Sequence, residues 1–420
     1  MNGRSSPTHK AESPHPSAGA ASYALALVTL CNFVNYIDRY ILAAVLPRIK
    51  TDLSLSDTQL GLLANAFLVS YFLTAPIFGR LGDRGSRPRI LGLAVALWSV
   101  TTAAAGLARN FGQLILARAS VGIGEAAYST IAPPLLADYF SVRRRGRAFA
   151  IFYVALPVGA AMGFLLGGLL ERAFGWRGAF YAVGLPGLAL AALVLMLPDP
   201  PRAVSDEQPA GEAVSMAVVV RALSRNFTYV GAVLGYTAYT FALGGLAIWM
   251  PTYLERVRGF ELTQANLFVG GMTAAAGLGG TFVGGFVGDH LSLRFRQGHL
   301  WLSGVSTLVA TVPAWVALTA ASPLAYQSSL FVAEFLLFLC AGPINVVIVS
   351  AVPSGMRAMA MAMCIFVIQA LGGALSPPII GVLADLGGLA RAVTIVPVSI
   401  ALAGLLWIAT AARKPTSLND

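Results

Sequence analysis

The sequence predicts an all-α membrane protein with twelve transmembrane helices arranged in two pseudo-symmetric halves of six. The chain has 420 residues, of which 57% are hydrophobic and only 11% are charged, whereas a soluble domain carries about 25% charged residues. Apolar runs of about 20 residues recur along the chain, and each is long enough to cross a hydrocarbon core of about 30 Å. One long hydrophilic break, at residues 198–225, divides these runs six and six.

The apolar runs set the predicted boundaries. We predict spans at 21–46, 59–79, 88–108, 113–138, 147–171, 178–197, 226–254, 263–289, 298–320, 325–351, 357–385 and 388–412. The N-terminal half is therefore 21–197, the linker 198–225 and the C-terminal half 226–412, with tails at 1–20 and 413–420. The first tail is polar and lacks an apolar core, so we expect a disordered segment without a cleaved signal peptide.

Positively charged residues concentrate in the loops on one side of the predicted membrane, above all at 80–89 and 143–147. Such loops face the cytoplasm in membrane proteins. We therefore expect a multi-pass protein of the cell (inner) membrane with both termini cytoplasmic. The same placement accounts for the net charge of +10, and no nucleic-acid partner is expected.

Cysteine and histidine do not form a recognisable site. Cys31, Cys340 and Cys364 all lie in predicted spans, and the four histidines do not cluster. We expect no metal, disulfide framework or other cofactor. No nucleophile and base can be paired, so the chain is not expected to be an enzyme. We expect a monomer.

The two halves repeat each other in sequence. Gly79 and Asp83 end the second span with the same spacing as Gly285 and Asp289 in the eighth. Small residues also recur at four-residue intervals, a spacing that lets helix backbones approach closely, at Gly159, Gly163, Gly167, Gly280, Gly284 and Gly288. Pseudo-equivalent halves are typical of transporters whose site lies between the halves at mid-membrane.

Four charged residues fall inside predicted spans of the first half. Asp38 and Arg39 lie in the first span, and Arg118 and Glu125 lie seven residues apart in the fourth. Intramembrane charges are costly and are functional by default. We interpret Asp38 as the principal protonation site and Glu125 as a second. Arg39 would be the partner of Asp38 or the anchor of an anionic substrate group. Arg118 is a further candidate substrate contact and a candidate partner of Glu125.

The alternative is a fixed ion network that only specifies helix packing.

Other candidate substrate contacts flank these charges. Asn35 and Tyr36 share the first span with Asp38, and Asn35 lies on the same helical face. The second half has a single intramembrane carboxylate, Glu334, and an aromatic set that includes Tyr239. We expect this half to offer an apolar wall. For each aromatic residue, ordinary packing is the competing interpretation.

The motifs resemble those of the major facilitator superfamily. Gly79-x-x-x-Asp83-Arg84-x-x-Arg87 resembles its signature loop, and Arg118-x-x-x-Gly122-x-Gly124 resembles its fourth-helix motif. The resemblance implies a loop that latches the two halves together when the transporter is open to the outside. The residues that we assign to this conformational gate are Gly79, Asp83, Arg84, Arg87, Asp138 and Arg147.

A closer resemblance is to the spinster family of lipid transporters. It rests on NYIDRY at 35–40, APIFGRLGDR at 75–84, GIGEAAYSTIAP at 122–133 and FYVALPVG at 152–159, with weaker support from 249–253 and 376–381. The resemblance implies proton-coupled transport of an amphiphilic anion such as a lysophospholipid or a sphingosine phosphate. The alternatives are a proton-coupled symporter of small organic acids such as sugar acids, a drug–proton antiporter, and a receptor without turnover.

Overall fold

The structure, a computed structural model, describes residues 17–200, 216–353 and 356–413. This part of the chain is almost entirely α-helical, so the predicted fold class is confirmed. Most of the first predicted tail (1–16), the middle of the predicted linker (201–215) and the end of the second tail (414–420) lie outside the described residues.

Fifteen helices and one π-helical turn follow each other along the described chain. They are α1 (Ala18–Leu53), α2 (Asp57–Arg84), α3 (Arg87–Ala105), α4 (Phe111–Tyr139), α5 (Val142–Leu195), α6 (Met216–Arg225), α7 (Phe227–Arg256), α8 (Leu262–Arg294), α9 (Gly298–Thr319), α10 (Pro323–Phe338), α11 (Ala341–Ser350), α12 (Arg357–Ile368), the π turn (Gln369–Gly373), α13 (Ser376–Gly387), α14 (Leu389–Ala392) and α15 (Ile395–Ala412).

These helices make twelve crossings, as predicted. Ten helical stretches in the described chain are long and apolar enough to span a membrane. One of them, Arg144–Leu195, is 52 residues long and turns at Gly175, so it supplies two crossings. The remaining crossing is α4, which carries Arg118 and Glu125 and is correspondingly less apolar.

The helix ends differ from the apolar boundaries. The first helix begins at Ala18, where the Ser17 hydroxyl accepts a hydrogen bond from the Ala20 amide, and it continues to Leu53, past the predicted end at residue 46. The short helix α6 occupies the end of the predicted linker. Hydropathy detects only the apolar part of a helix. Polar residues that continue the helix beyond the membrane are therefore missed by a prediction based on hydropathy.

The glycine stripes bring helices into close contact, as the spacing predicted. A Cβ atom at Gly163 of α5 would lie 2.7 Å from Cβ of Tyr40 and 2.9 Å from the carbonyl oxygen of Ile37, both on α1. In α8, a Cβ atom at Gly284 would lie 2.0 Å from the carbonyl oxygen of Leu339. The α5 stripe therefore fixes α1, the helix that carries Asp38 and Arg39, against its neighbour.

The halves meet at one end of the bundle. We call the end with loops 80–89 and 143–147 the Arg-rich end, and the other the opposite end. At the opposite end, the start of α2 packs on α13 so tightly that a Cβ atom at Gly61 would lie 2.4 Å from the Pro377 carbonyl oxygen. Gly270 of α8 approaches the Ala161 carbonyl oxygen of α5 in the same way. The opposite end is closed.

Gly175 provides the first testable prediction. Its φ of 69° and ψ of 171° lie in a region essentially restricted to glycine. We expect Gly175→Ala to lower the free energy of unfolding by about 1–3 kcal/mol because the added Cβ strains the turn between two crossings. Chemical or thermal unfolding in detergent measures this. Gly271→Ala, where the added Cβ meets nothing within 4 Å and φ is ordinary, is the matched control. Equal stability of the two variants would contradict the prediction.

Candidate functional site

The four intramembrane charges of the first half form one cluster. Nε of Arg39 donates to Oε2 of Glu125 at 2.6 Å, and Nη1 of Arg118 lies 3.5 Å from Oδ1 of Asp38. The ion pairs therefore cross between α1 and α4. The sequence had suggested Asp38 with Arg39 and Glu125 with Arg118. Neighbouring residues on a helix diverge by about 100°, so each charge of α1 finds its partner on the facing helix.

Asp38 has a further partner that the sequence analysis missed. The hydroxyl of Thr102, on α3, donates a hydrogen bond to Oδ2 of Asp38. By contrast, Oδ1 of Asp38 and the Nε and Nη1 atoms of Arg118 have no hydrogen-bond partner within the described part of the chain, although all are buried. Buried polar atoms left without partners are rare and often mark groups whose partners change during function. The Asp38–Arg118 pair is accordingly loosely held.

Arg39 differs from the rest of the cluster in its exposure. Its side chain is 23% exposed, whereas those of Asp38, Arg118 and Glu125 are at most 2% exposed. Its guanidinium carbon lies 5.1 Å from the ring centroid of Tyr36, 5.1 Å from that of Phe67 and 5.2 Å from that of Tyr71. Arg39 is thus the member of the cluster that a ligand can reach, and aromatic rings hold it in place.

The two aromatic residues from α2 were not predicted. Phe67 and Tyr71 reach the cluster because Gly122 of α4 lets α2 approach closely: a Cβ atom there would lie 2.3 Å from the Phe67 carbonyl oxygen. The Gly122 motif in the sequence predicts that another helix packs closely against α4. It does not predict which helix that is.

The remaining candidates lie in different settings. Asn35 is buried, and its amide nitrogen has no partner among the described residues. Glu334 is buried on α10 and accepts a hydrogen bond from the Thr273 hydroxyl at 3.0 Å. Tyr239 donates its hydroxyl to the Leu337 carbonyl oxygen at 3.0 Å and packs on Trp407. Tyr239 thus makes the packing contacts expected under the competing interpretation, and its role as a substrate contact stays a prediction.

The predicted gate residues lie at the Arg-rich end. Arg87 donates hydrogen bonds to the Asp138 carboxylate and to the Gly82 carbonyl oxygen, which tie the loop to α4 within the N-terminal half. Asp83, Arg84 and Arg147 are exposed, and Gly79 packs near Thr130. The contacts of Arg87 are therefore internal to one half in this conformation.

The closure at the opposite end is built from charges that the sequence analysis did not single out. Asp57, the first residue of α2, accepts hydrogen bonds from Lys50 at 2.5 Å and from both Nη atoms of Arg256 at 2.7 and 3.0 Å. Arg256 ends α7, so this carboxylate joins the two halves. Arg48 likewise bridges Glu171 of the N-terminal half and Glu255 of the C-terminal half, at 3.1 and 3.0 Å.

A helix cap also crosses between the halves. Asp385 of α13 accepts hydrogen bonds from the backbone amides of Asp57 and Thr58, both at 2.8 Å, and from the Thr58 hydroxyl at 2.6 Å. A carboxylate at a helix N-terminus is stabilised by unpaired amides and by the helix dipole. In sequence these residues are ordinary charges at span ends. Only their meeting across the halves marks them as a gate.

The charge environment of Asp57 sets how the closure responds to acid. Burial acts to raise the pKa of its carboxyl, but the hydrogen bonds and charges of Arg256 and Lys50 outweigh this effect, so the pKa falls below its usual value. Asp57 therefore stays ionised at every pH at which an ordinary aspartate is ionised.

Comparison with known proteins agrees with this architecture. The sequence profile of the Major Facilitator Superfamily matches residues 28–377, and the chain belongs to that superfamily. Within it, the chain belongs to the spinster family. Protein spinster homolog 3 of Danio rerio is 35% identical over 86% of this chain and 76% of its own length. The sphingosine-1-phosphate transporter SPNS2 of Danio rerio is 30% identical over 92% of this chain and 83% of its own.

A solved structure is also similar. The crystal structure of a bacterial homolog to the human lysosomal transporter spinster, in an inward-facing and unoccupied conformation, matches with a TM-score of 0.86 and 26% identity. The match covers 94% of this chain and 98% of that chain. The chain is therefore a membrane transporter of the spinster family, as its motifs predicted.

The helix cap gives the second prediction. Removing the Asp385 carboxylate in Asp385→Ala takes away the acceptor that joins α13 to the Asp57 and Thr58 amides, while Ser56 still caps α2. A contact of this kind is worth about 1 kcal/mol, so we expect the closed population at the opposite end to fall about fivefold relative to the open one. Electron–electron distance measurements between spin labels at Arg109→Cys and Leu324→Cys, both exposed at that end, report the opening. The native cysteines are buried and stay unlabelled.

Asp289→Ala is the control for this measurement, because Asp289 is exposed at the Arg-rich end. An unchanged distance distribution in Asp385→Ala would show that the cap does not hold the halves together.

The third prediction concerns pH. A carboxyl with a lowered pKa in the closed state contributes to closure above its ordinary pKa, and this contribution is lost as the pH falls through the lowered value. We expect the same spin-label distances to be unchanged from about pH 8 to about pH 5, because an ordinary Asp titrates near 4. Opening within that window would mean that another group controls the closure. Asp57→Asn removes the negative charge at every pH. At neutral pH it should therefore already show the spin-label distances that the wild type reaches only when Asp57 is protonated in acid.

Proposed function

We propose that this protein is a secondary active transporter of an amphiphilic anion, such as a lysophospholipid or a sphingosine-phosphate-like lipid, and that it couples transport to protons by alternating access. The observation that carries the proposal is Arg39. It is a reachable cation at membrane depth, bonded to a buried carboxylate and surrounded by aromatic rings. An anionic headgroup with an apolar chain matches both features.

Glu125 has a defined part in this proposal. Oε2 of Glu125 lies 2.6 Å from Nε of Arg39. An incoming anion therefore competes with the Glu125 carboxylate for the same guanidinium. A buried carboxylate that loses its cationic partner is strongly favoured to take up a proton. Substrate binding at Arg39 and protonation of Glu125 therefore favour each other.

Asp38 remains our proposed coupling site. It is fully enclosed, Thr102 holds one of its oxygens, and the other faces Arg118 at 3.5 Å without a hydrogen bond. A loose pair of this kind tightens or separates with small helix movements. Such movements change the balance between desolvation and the nearby charge, and that balance decides whether the carboxyl carries a proton.

We assign the binding of the apolar chain of the substrate to the second half. We assign Asn35 and Tyr36, on the same helix as Arg39, as further headgroup contacts, and the buried Glu334 of α10 and Tyr239 of α7 as the substrate contacts of the second half. One relative, SPNS2 of Danio rerio, is a sphingosine-1-phosphate transporter, and sphingosine-1-phosphate is an amphiphile of this kind. The paucity of polar side chains in the second half favours an apolar chain over a sugar acid.

We further propose that the Arg-rich end is cytoplasmic and that the membrane is the cell (inner) membrane. The conformation described here, closed at the opposite end, is then the inward-facing one. The gate of Gly79, Asp83, Arg84, Arg87, Asp138 and Arg147 would latch the halves in the outward-open state. The charges around Asp57 and Asp385 take that part in the inward-facing state.

The fourth prediction tests coupling and headgroup binding together. Proteoliposomes with an imposed proton gradient are given labelled lysophospholipid, sphingosine-1-phosphate or a sugar acid. We expect gradient-driven lipid uptake in the wild type. Asp38→Asn should lose the response to the gradient but retain substrate exchange without a gradient. Arg39→Gln should weaken binding about 10- to 100-fold, the loss of one charge-assisted hydrogen bond.

Asp289→Asn is the control for expression and charge, because Asp289 is exposed and remote from the cluster. Uptake of the sugar acid in place of the lipid would assign the protein to the small-organic-acid symporters. Lipid movement that ignores both the gradient and Asp38→Asn would leave a facilitator and exclude proton coupling.

A further inference from the structure

A cavity lies at the Arg-rich end of the C-terminal half. Its volume is about 1160 Å³. It is lined by the end of α6, the start of α7, the α8–α9 connection, the end of α11, the segment before α12 and the residue after α15. These segments belong to the C-terminal half and to the linker and tail that flank it, whereas the Arg39 cluster belongs to the N-terminal half. The cavity is therefore separate from the charge cluster.

Three arginines from three different segments line this cavity: Arg225, Arg296 and Arg413. No aspartate or glutamate is among the lining residues, and none of the three arginines has a carboxylate within ion-pair distance in the part of the chain that the structure describes. The N-terminal half contrasts with this, because there Arg87 is neutralised by Asp138. Among the described residues, the cavity concentrates positive charge with no carboxylate beside it.

The helix α7 adds to the positive potential. Its first residues, Phe227 and Thr228, line the cavity, and the N-terminus of a 30-residue helix attracts anions. Arg413 is held in position, with its guanidinium carbon 4.3 Å from the ring centroid of Phe227. The amide group of Gln297 and the hydroxyl of Ser350 complete the lining and can donate to phosphate oxygens.

The rim of the cavity indicates the source of the anion. Phe227 and Val346 line it and are exposed, so apolar surface adjoins the arginines at the end of the membrane-spanning helices. A soluble phosphate would gain nothing from this surface, whereas the acyl chains of a lipid would cover it. Basic pockets between transmembrane helices at this level are the sites that bind anionic lipid headgroups.

We propose that this cavity binds the headgroup of an anionic membrane phospholipid, with Arg225, Arg296 and Arg413 holding the phosphate. It is a binding site distinct from the Arg39 site, and its ligand is a resident of the membrane leaflet at the Arg-rich end. Binding there bridges the ends of α6, α7 and α15 and the connection between α8 and α9. It therefore stabilises the C-terminal half without requiring transport.

The test is lipid binding to the purified full-length protein in detergent, with dihexanoyl phosphatidylglycerol, dihexanoyl phosphatidylcholine and inorganic phosphate as probes. We expect phosphatidylglycerol to bind at least about tenfold more tightly than the other two. The triple variant Arg225→Gln, Arg296→Gln and Arg413→Gln should lose this preference. The corresponding triple lysine variant should retain most of it because the charge is kept.

Two controls separate the alternatives. The triple variant Arg80→Gln, Arg89→Gln and Arg144→Gln removes the same charge from exposed positions of the N-terminal half and should bind normally. Arg39→Gln removes the cation of the proposed transport site and reports any probe lipid that binds there instead. Equal loss in both triple glutamine variants would reduce the effect to general surface charge, and loss in Arg39→Gln alone would assign it to the transport site. Tight binding of inorganic phosphate would identify a soluble anion. Each of these three results overturns the proposal.

Discussion

The hydrocarbon core of a membrane offers no partner to a charged side chain, and the N-terminal half is organised around that constraint. Four charges in α1 and α4 can be buried only if the two helices face each other, with Arg39 on Glu125 and Arg118 on Asp38. The glycines of α5 bring that helix onto α1, and those of α4 bring it onto α2 and α3, so close packing with their neighbours holds both charged helices in place. Packing and electrostatics are therefore a single requirement here, and disturbing either one changes the other.

The charges at the ends of the bundle differ from the buried cluster in how they are stabilised. At the opposite end, charges from both halves meet at Asp57, Arg48 and Asp385, and several contacts together hold the halves closed. The arginine side chains of these contacts stay partly exposed, so water can replace the carboxylates as their partners when the halves separate. The buried cluster, in contrast, is expensive to break and is suited to respond only when a proton or a substrate replaces a partner.

The two halves share a fold but carry different charged residues at membrane depth. The first half holds the paired charges at membrane depth, and the second half holds one carboxylate there, Glu334, bonded to Thr273. The asymmetry continues at the Arg-rich end, where Arg87 is neutralised by Asp138 in the first half and the arginines of the second half line an open cavity. Pseudo-symmetry thus describes the backbone and leaves each half free to bind a different group.

The sequence by itself determined the fold class, the twelve crossings, the family and the membership of Asp38, Arg39, Arg118 and Glu125 in one site. These follow from local quantities: apolar length, the cost of a charge in lipid, and motif spacing. Tertiary structure alone decided which charge pairs with which, and that Thr102, Phe67 and Tyr71 join them. It also decided that Asp57 and Asp385 join the two halves and that the Tyr239 hydroxyl bonds to the Leu337 carbonyl oxygen. Each depends on which faces of distant helices meet, and no local pattern encodes that.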